Sequence, residues 1–295
     1  MIRFKNIFFL LALLLFATSC YKDTDDDVYV NPEPESPEGL GIYNLALGNP
    51  SDAQHNSSME ENYLIEIPQY AISYSRSRGI PNWVSWYLNK DWTGDVERQN
   101  DFRANQSLPA NWYWVEAGDY GYSSNGFSRG HNCPSADRTV TTTDNSSTFL
   151  MTNVIPQAPD HNESLWVALE NYCRSLVWNQ GKELYIIMGN YGTGGIGDAG
   201  YREKLASGKI TVPRYIWKIV VVLPNGEDDI DRISDDTRVI AIMTENKNSA
   251  AEKNWGAYRV SVDEIEAATN YDFLSNIPEN IQTIIEASVD NGPIQ

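Results

Sequence analysis

Ser128-Arg129-Gly130-His131 is the stretch of this sequence that decides the fold, because of the two segments downstream of it. The first is Asn153-Val154-Ile155-Pro156-Gln157, and the second is 162–178, whose apolar residues recur at intervals of three and four. These residues are Leu165, Trp166, Leu169, Tyr172, Cys173 and Leu176. The spacing predicts an amphipathic helix, which Gly181 is expected to end. An arginine and a histidine therefore precede a helix that begins with an asparagine.

Apolar segments on both sides of this stretch predict a sheet. Residues 62–75 alternate in part between apolar and polar side chains, and predict one or two strands. Further apolar strand candidates are the segments 83–88, 183–188, 215–223 and 238–243. Ser261 and Glu264 form a capping box that opens another helix, and 278–287 predicts a last one. We therefore predict an α+β fold, with a mainly antiparallel sheet flanked by helices.

Histidine is suited to general base catalysis because a reference pKa of ~6.5 lets it accept a proton near neutral pH. The sequence has three histidines, His55, His131 and His161. A single histidine is more often structural than catalytic. Only the Arg-Gly pair before it and the residues downstream favour a catalytic role for His131. We expect His55 to lie in a polar loop and His161 to be a surface cap; the alternative is that His161, which directly precedes Asn162, lies at the edge of the site.

The order and spacing of these residues resemble the DNA/RNA non-specific endonuclease family, the Serratia-type nucleases with a ββα-metal (His-Me finger) site. The resemblance runs from about Tyr43 to about Gln282. It implies a metal-dependent endonuclease that hydrolyses phosphodiester bonds of DNA and RNA with little sequence preference. In this interpretation His131 is the general base that activates the attacking water.

The resemblance also implies that Asn162 holds the metal ion, Mg²⁺ or Mn²⁺. An amide oxygen is a hard, neutral ligand of the kind that Mg²⁺ accepts. Taken alone, an asparagine at the start of a helix is usually an N-cap. On an ideal helix Glu170 lies about 80° from Asn162 and Arg174 a further 40° round, so all three can face one cleft. We expect Glu170 to orient water at the metal, and Arg174 to pair with Glu170 or contact phosphate; an ordinary surface ion pair is the alternative.

Arginines complete the expected site. Arg129 is expected to reach the scissile phosphate, where a guanidinium can make two parallel hydrogen bonds. Arg98 corresponds to an upstream arginine of the family, although Arg103 fits that role as well. Gly130 is expected to permit a close backbone approach. Asn153 is expected to order the loop between the base and the metal site.

The sequence departs from the family pattern at two places. The commonest form has aspartate where this chain has Ser128, so the acceptor that orients the neighbouring arginine and histidine is weaker. A further asparagine of well-known members falls near Thr148-Phe149, which cannot replace it. We therefore expect lower activity or a shifted pH optimum.

The first residues are expected to be a lipoprotein signal peptide, 1–19. A basic start and the apolar run 7–17, which is too short to span a bilayer, precede Cys20 in a pattern that looks like a bacterial lipobox. A simple secretory signal with an incidental cysteine is the alternative. Residues 20–40 form an acidic, proline-rich tether, which either resembles a surface-export signal or is a plain spacer. We expect an endonuclease domain at 41–295, extracytoplasmic and lipid-anchored to the outer membrane.

The formal net charge of −18 is unusual for a protein that binds nucleic acid. It argues against tight, processive binding of a polyanion. It does not exclude a cleft in which arginines and a bound cation set the local potential. We expect weak substrate affinity with marked salt sensitivity.

If Cys20 carries lipid, Cys133 and Cys173 remain as a pair in an oxidising compartment. A disulfide between them would link the base to the metal-site helix. Two separate buried thiols are the alternative.

Two other classes of function remain open. One is a non-catalytic surface lipoprotein of the nuclease fold that binds nucleic acid or another partner. The other is a carbohydrate-binding lipoprotein, suggested by nine Trp, 17 Tyr and eight Phe, although most of these lie in strand-like runs typical of a core. The sequence indicates no particular protein partner.

Overall fold

The structure is a computed structural model, and it describes residues 40–295. The signal peptide, Cys20 and the tether up to residue 39 lie outside the described residues. Within residues 40–295, no helix is both long enough and apolar enough to cross a membrane.

Thirteen strands are present in the described part of the chain. They are β1 (Tyr63–Ile67), β2 (Tyr70–Ser75), β3 (Ile80–Leu88), β4 (Ser128–His131), β5 (Val154–Gln157), β6 (Lys182–Tyr191), β7 (Gly195–Gly197), β8 (Gly200–Arg202), β9 (Lys204–Leu205), β10 (Ile210–Thr211), β11 (Tyr215–Pro224), β12 (Arg238–Glu245) and β13 (Arg259–Val260).

Seven strands form one sheet in the order β1-β2-β3-β6-β11-β12-β13, and every neighbouring pair is antiparallel. The longest pairing is between β6 and β11, from Tyr191 opposite Tyr215 to Lys182 opposite Pro224. Strands β3, β6 and β11 are buried along nearly their whole length, as expected from their apolar sequences. The predicted α+β fold with a mainly antiparallel sheet is confirmed.

Five α-helices and one π-helical turn are present among the described residues, besides short 3₁₀ turns. They are α1 (Tyr122–Asn125), α2 (Thr142–Ser147), a π-helical turn (His161–Trp166), α3 (Val167–Gln180), α4 (Val262–Thr269) and α5 (Glu279–Ala287). Gly181 ends α3 in the left-handed conformation, with φ of 60°. Ser261 and Glu264 form the predicted capping box of α4.

The sheet is covered on both faces. On one face Lys218 of β11 lies between the rings of Trp86 and Trp166, next to Glu170 of α3. On the other face Trp217 packs edge-on against Phe273, at 5.0 Å between ring centroids. The face under α3 is the one that carries the candidate site.

The candidate site is built on a small hairpin that is separate from the main sheet. Strands β4 and β5 pair antiparallel, with His131 opposite Val154 and Ser128 opposite Gln157. The π-helical turn and α3 come directly after β5, which gives the order strand, strand, helix. The expectation of an ideal α-helix from Asn162 onward is wrong, because residues 161–166 form a wider, i→i+5 turn.

Candidate active site

A cleft of about 550 Å³ opens where the hairpin meets the start of the helix. Four of the residues singled out from the sequence line it: Arg98, Ser128, Arg129 and Asn162. The other lining residues are Asn100, Phe102, Ala117, Gly118, Tyr120, Gly121, Tyr122, Phe127 and Glu163.

His131 lies at the end of β4, behind the cleft wall. Its ring packs against Phe102, at 5.1 Å, and edge-on against Phe149, at 4.9 Å. The Nε2 atom is buried and has no hydrogen-bond partner among the described residues. Burial, followed by the positive charges of Arg98 and Arg129, lowers the pKa of His131 to about 3. The imidazole is therefore neutral at neutral pH, as a general base must be before it accepts a proton.

Two arginines flank the histidine, each held by one of its aromatic neighbours. The guanidinium carbon of Arg129 lies 4.1 Å from the ring centroid of Phe102, and that of Arg98 lies 4.8 Å from Phe149. Arg98 also donates a 2.7 Å hydrogen bond to Ser135. Cation–π contacts of this kind fix a guanidinium without using all of its N–H donors.

The alternative arginine, Arg103, lies elsewhere. It pairs with Asp101 at 2.7 Å and lines a different depression, together with Gln69 and Ser146. Of the two candidates, Arg98 is the one in the cleft. Phe149, at the position where the sequence lacks an asparagine of the family, forms part of the aromatic packing around His131.

Gly130 has a steric reason to be glycine. A Cβ atom at this position would lie 2.0 Å from Oε1 and 2.7 Å from Cβ of Gln157, which faces it on β5. Gln157 is fully buried, and its amide nitrogen contacts Nδ1 of His161 at 2.7 Å. The two strands can therefore pair at this point only if residue 130 has no side chain.

Asn153 holds the chain immediately after His131. Its side chain accepts a hydrogen bond from the backbone N–H of Cys133 and donates to the carbonyl groups of Cys133 and Thr148. All three distances are 2.9–3.0 Å, and the residue is fully buried. This arrangement ties the segment after β4 to the segment before β5.

Asn162 has a side chain that is available to a ligand. Its amide makes no hydrogen bond with any described residue, and it lines the cleft. The neighbouring Glu163 also lines the cleft, and the Ser128 hydroxyl donates a long, 3.4 Å contact to its Oε1. These three side chains present amide, carboxylate and hydroxyl oxygens, which are the donors that a hard divalent cation prefers. The residues present therefore fit such a cation.

Glu170 lies deeper than the cleft surface. Its Oε1 is 3.7 Å from Nζ of Lys218, a side chain that is only 1% exposed. Burial raises the pKa of Glu170, and the positive charges of Lys218 and Arg174 oppose that shift. Burial also lowers the pKa of Arg98, while the charge of Glu170 acts in the opposite direction. Glu170 thus lies between a buried lysine and a cleft arginine.

Arg174 pairs with Asp137 rather than with Glu170 or at the cleft surface. Its Nη1 lies 2.7 Å from Oδ1 of Asp137, whose other oxygen accepts a 3.0 Å hydrogen bond from Trp86. Burial would lower the pKa of Arg174, but the nearby carboxylates of Asp137 and Glu170 raise it. The expected contact of Arg174 with phosphate does not fit this geometry, because the guanidinium is buried and committed to these partners.

The two cysteines are free and buried, so the expected disulfide is not formed in the structure. Burial raises the pKa of both Cys133 and Cys173 to about 12. A thiolate would lose its hydration at these positions, so both side chains remain neutral thiols. The alternative of two buried thiols is the one that the structure contains.

The remaining histidines differ from each other. His55 is exposed, as expected for a loop residue. The expectation that His161 is a surface cap is wrong. Its ring is fully buried, stacks on Trp166 at 4.9 Å, and contacts Thr244 at 2.5 Å.

Several residues around the cleft were missed by reasoning from the sequence. Lys218 was treated only as part of a core strand, although a lysine within an apolar run is itself a signal of a buried ion pair. Glu163 has no opposite charge at an interval of three or four residues, so no local pattern in the sequence marks it. Tyr122, whose hydroxyl donates to Asp198 at 2.7 Å, lies on the cleft wall and is 53% exposed. No local pattern in the sequence marks it.

Comparisons with known proteins identify the family of this chain. The model of the family described as DNA/RNA non-specific endonuclease matches residues 47–280. The chain is 49% identical over 262 residues to a nuclease from Nostoc sp., covering 89% of this chain and 91% of that protein. It is 24% identical over 289 residues to the nuclease from Serratia marcescens, covering 97% and 95% of the two chains.

A solved structure has the same fold. The EndoG/EndoGI complex contains a chain with a TM-score of 0.65 and 20% identity, which covers 80% of this chain and 91% of its own length. The family match spans most of the described residues, and the hairpin, helix and cleft lie within it. The chain belongs to the DNA/RNA non-specific endonuclease family, a family of metal-dependent hydrolytic nucleases that act on nucleic acid.

Proposed function

We propose that this protein is an exported, Mg²⁺-dependent endonuclease that hydrolyses phosphodiester bonds in DNA and RNA, with His131 as general base. The observation that carries this proposal is the neutral imidazole of His131 beside two aromatic-held arginines, at a cleft that Asn162 also lines. Nothing in this set of residues reads a base, and contacts to phosphate carry no sequence information.

The low pKa of His131 is coupled to the substrate. Burial lowers that pKa most, and Arg98 and Arg129 lower it further in the free protein because a third positive charge beside the two guanidinium groups is unfavourable. A phosphodiester bound between the guanidinium groups supplies a compensating negative charge. The pKa of His131 then rises, and the imidazole becomes a stronger base when the scissile bond is in place.

The cation has a separate role from that of the base. A divalent cation bound at Asn162 would neutralise charge on the phosphate and stabilise the departing oxygen. Arg129 and Arg98 orient the phosphate, and the negative charge of Glu170 favours the charged form of Arg98. Gly130 and Asn153 hold the strand and the segment after it so that His131 keeps its position.

Export and anchoring are part of the proposal and rest on the sequence alone. The segment 1–19 and the cysteine at position 20 support lipidation of Cys20 and a location outside the cytoplasm, on the outer membrane. There the cleavage of extracellular nucleic acid would not threaten the chromosome of the cell.

A plasmid assay tests the proposal. Purified protein incubated with supercoiled plasmid and Mg²⁺ is expected to nick and linearise it, and EDTA is expected to stop the reaction. His131→Ala should lower the rate by ~10² or more, since general base catalysis contributes ~10²–10⁴. Asn162→Ala should also abolish most of the activity, whereas His55→Ala, which changes an exposed histidine, should leave it unchanged.

The same assay distinguishes this enzyme from the alternative, a non-catalytic lipoprotein. Full-length plasmid after long incubation of the wild-type protein with Mg²⁺ or Mn²⁺ would favour a non-catalytic lipoprotein that only binds nucleic acid. Unaltered rates in the His131→Ala variant would remove His131 from the role of base.

A further inference from the structure

The charges that line the cleft pose a problem for binding a cation. Arg98 and Arg129 are both present on its wall, and each carries a positive charge. A divalent ion beside them is repelled by both, because like charges repel each other more strongly in a cleft than in bulk water. Asn162 and Ser128 are neutral, so neither offsets this repulsion.

Glu170 does not supply the missing negative charge to the cleft surface. It is paired with the buried Lys218 and does not line the cleft. Its charge is also shared with Arg98 and Arg174. A carboxylate that lines the cleft itself would add negative charge closer to a cation bound there.

Glu163 is the only acidic side chain among the described residues that line the cleft. It comes directly after Asn162 within the π-helical turn His161–Trp166. A turn closed by i→i+5 hydrogen bonds holds more residues than an α-helical turn, so consecutive side chains diverge by a smaller angle. This explains how two adjacent residues line the same cleft.

The carboxylate of Glu163 lies at the cleft, and no positive side chain among residues 40–295 compensates its charge. No described basic side chain forms an ion pair with it. The contact that it accepts from the Ser128 hydroxyl, at 3.4 Å, is longer than the ~2.5–3.0 Å of a normal O–H···O bond. The oxygens of Glu163 therefore remain available, on the side of the cleft where β4 and the helix meet.

We propose that Glu163 is a metal-site residue, whose carboxylate supplies the negative charge that lets a divalent cation bind beside Asn162 in this cleft. The proposal rests on the nuclease function proposed above. The proposal also has a consequence for position 128. An aspartate at that position would carry its carboxyl carbon where serine carries Oγ, in contact with the carboxylate of Glu163, so the two charges would repel each other. The contact between residues 128 and 163 therefore accommodates only one carboxylate.

Calorimetric titration of Mn²⁺ into the purified full-length protein, without nucleic acid, tests the proposal directly. Glu163→Gln removes the charge and keeps the shape, and we expect it to weaken Mn²⁺ affinity ~10-fold or more. Asp160→Asn is the matched control. It removes an exposed carboxylate at the start of the same helix, outside the cleft, and should leave the affinity within about two-fold of wild type.

Moving the carboxylate from residue 163 to residue 128 distinguishes the effect of its charge from the effect of side-chain packing. The double variant Ser128→Asp/Glu163→Gln moves the carboxylate to the other side of the same contact, and should regain Mn²⁺ affinity and plasmid cleavage relative to Glu163→Gln alone. Ser128→Asp alone should not exceed wild type in cleavage rate, because it places two carboxylates together.

Two outcomes overturn this inference while leaving the nuclease function intact. One is a Glu163→Gln variant with wild-type Mn²⁺ affinity in a protein that cleaves plasmid. The other is a double variant that stays as weak as Glu163→Gln. A wild-type protein that neither binds Mn²⁺ nor cleaves plasmid would overturn the proposed function itself, and this inference with it.

Discussion

At the scale of single residues, the sequence identified those whose role is set by a local motif. Gly130 was expected to permit a close approach, and the structure shows that Gln157 is the group that approaches. Partners distant in sequence could not be predicted. Glu170 meets Lys218 and Arg174 meets Asp137 across the fold, and no spacing along the chain encodes such pairs.

Gly130→Ala tests the steric argument. A methyl group at this position would overlap Oε1 and Cβ of the buried Gln157 and force them to shift, so we expect a loss of about 1–3 kcal/mol in the free energy of unfolding, as for other overpacked sites. Cleavage should fall as well, because His131 is the next residue. Urea unfolding checks the first effect and the plasmid assay the second.

Gly118→Ala is the control for that substitution. No atom lies within 4 Å of the position that its Cβ would take. Equal stability losses in the two variants would show that contact with Gln157 is not what requires glycine at 130.

At the scale of elements, periodicity predicted the long strands, the body and end of the helix, and the capping box of α4. It did not predict the π-helical turn, because only Leu165 and Trp166 of that turn are apolar, and both fit the intervals of three and four of the helix that follows. The short strands and the 3₁₀ turns were not predicted either, since two or three residues are too few to show a hydrophobic period. The position of α5 on α4 was not predictable either, because it depends on side chains that meet only in the folded chain.

Glu286 of α5 makes the contact with α4 sensitive to pH. Burial, together with the charges of Glu266, Asp263 and Asp272, raises the pKa of Glu286 from 4.5 to about 8, although the Gln282 side chain donates a hydrogen bond to it. A raised pKa in the folded state means that the protonated form is favoured by folding. The stability from this group is therefore complete below about pH 4.5 and is lost as the pH rises through about 8.

Glu286→Gln should stabilise the protein at pH 8.5 and have little effect at pH 5. One pKa unit corresponds to about 1.4 kcal/mol, and solvent near the exposed Asp263 screens part of the shift, so we expect a gain of about 1–2 kcal/mol. Thermal unfolding at the two pH values measures it. Asp236→Asn, which removes an exposed carboxylate from a loop, should show no such difference between pH 5 and pH 8.5.

At the scale of the whole molecule, the sequence predicted the fold class and the family, and both are confirmed. The covering of both faces of the sheet, and the complete burial of His161, depend on long-range packing and could not be predicted from the sequence. Burial, and the charge of Lys218 after it, lowers the pKa of His161 to about 3. Together with His131, this gives the fold two imidazoles that resist protonation.

Resistance to protonation makes the whole protein less stable in acid. A histidine with a usual pKa of 6.5 and a folded pKa of about 3 contributes stability that is complete above pH 6.5 and is lost as the pH falls toward 3. Wild type should therefore lose about 2–3 kcal/mol more than His161→Asn between pH 7 and pH 4.5. Urea unfolding of both proteins at both pH values gives the change in the free energy of unfolding of each. The prediction concerns the difference between these two changes.

His55→Asn serves as the reference, since that side chain is exposed. Its free energy of unfolding should change between pH 7 and pH 4.5 by the same amount as that of wild type. A His161→Asn variant that weakens in acid as steeply as wild type would show that proton uptake at His161 does not limit stability.

The wide turn at residues 161–166 has a consequence for how such a site can change. A π turn amounts to one additional residue carried within an α-helix, and the helix beyond it keeps its phase, with Leu169, Cys173 and Leu176 still facing inward. A single insertion can therefore add a polar group at the mouth of the cleft without disturbing the packing below. New ligands for a metal can arise at this end of the helix by lengthening the chain, with no existing residue replaced.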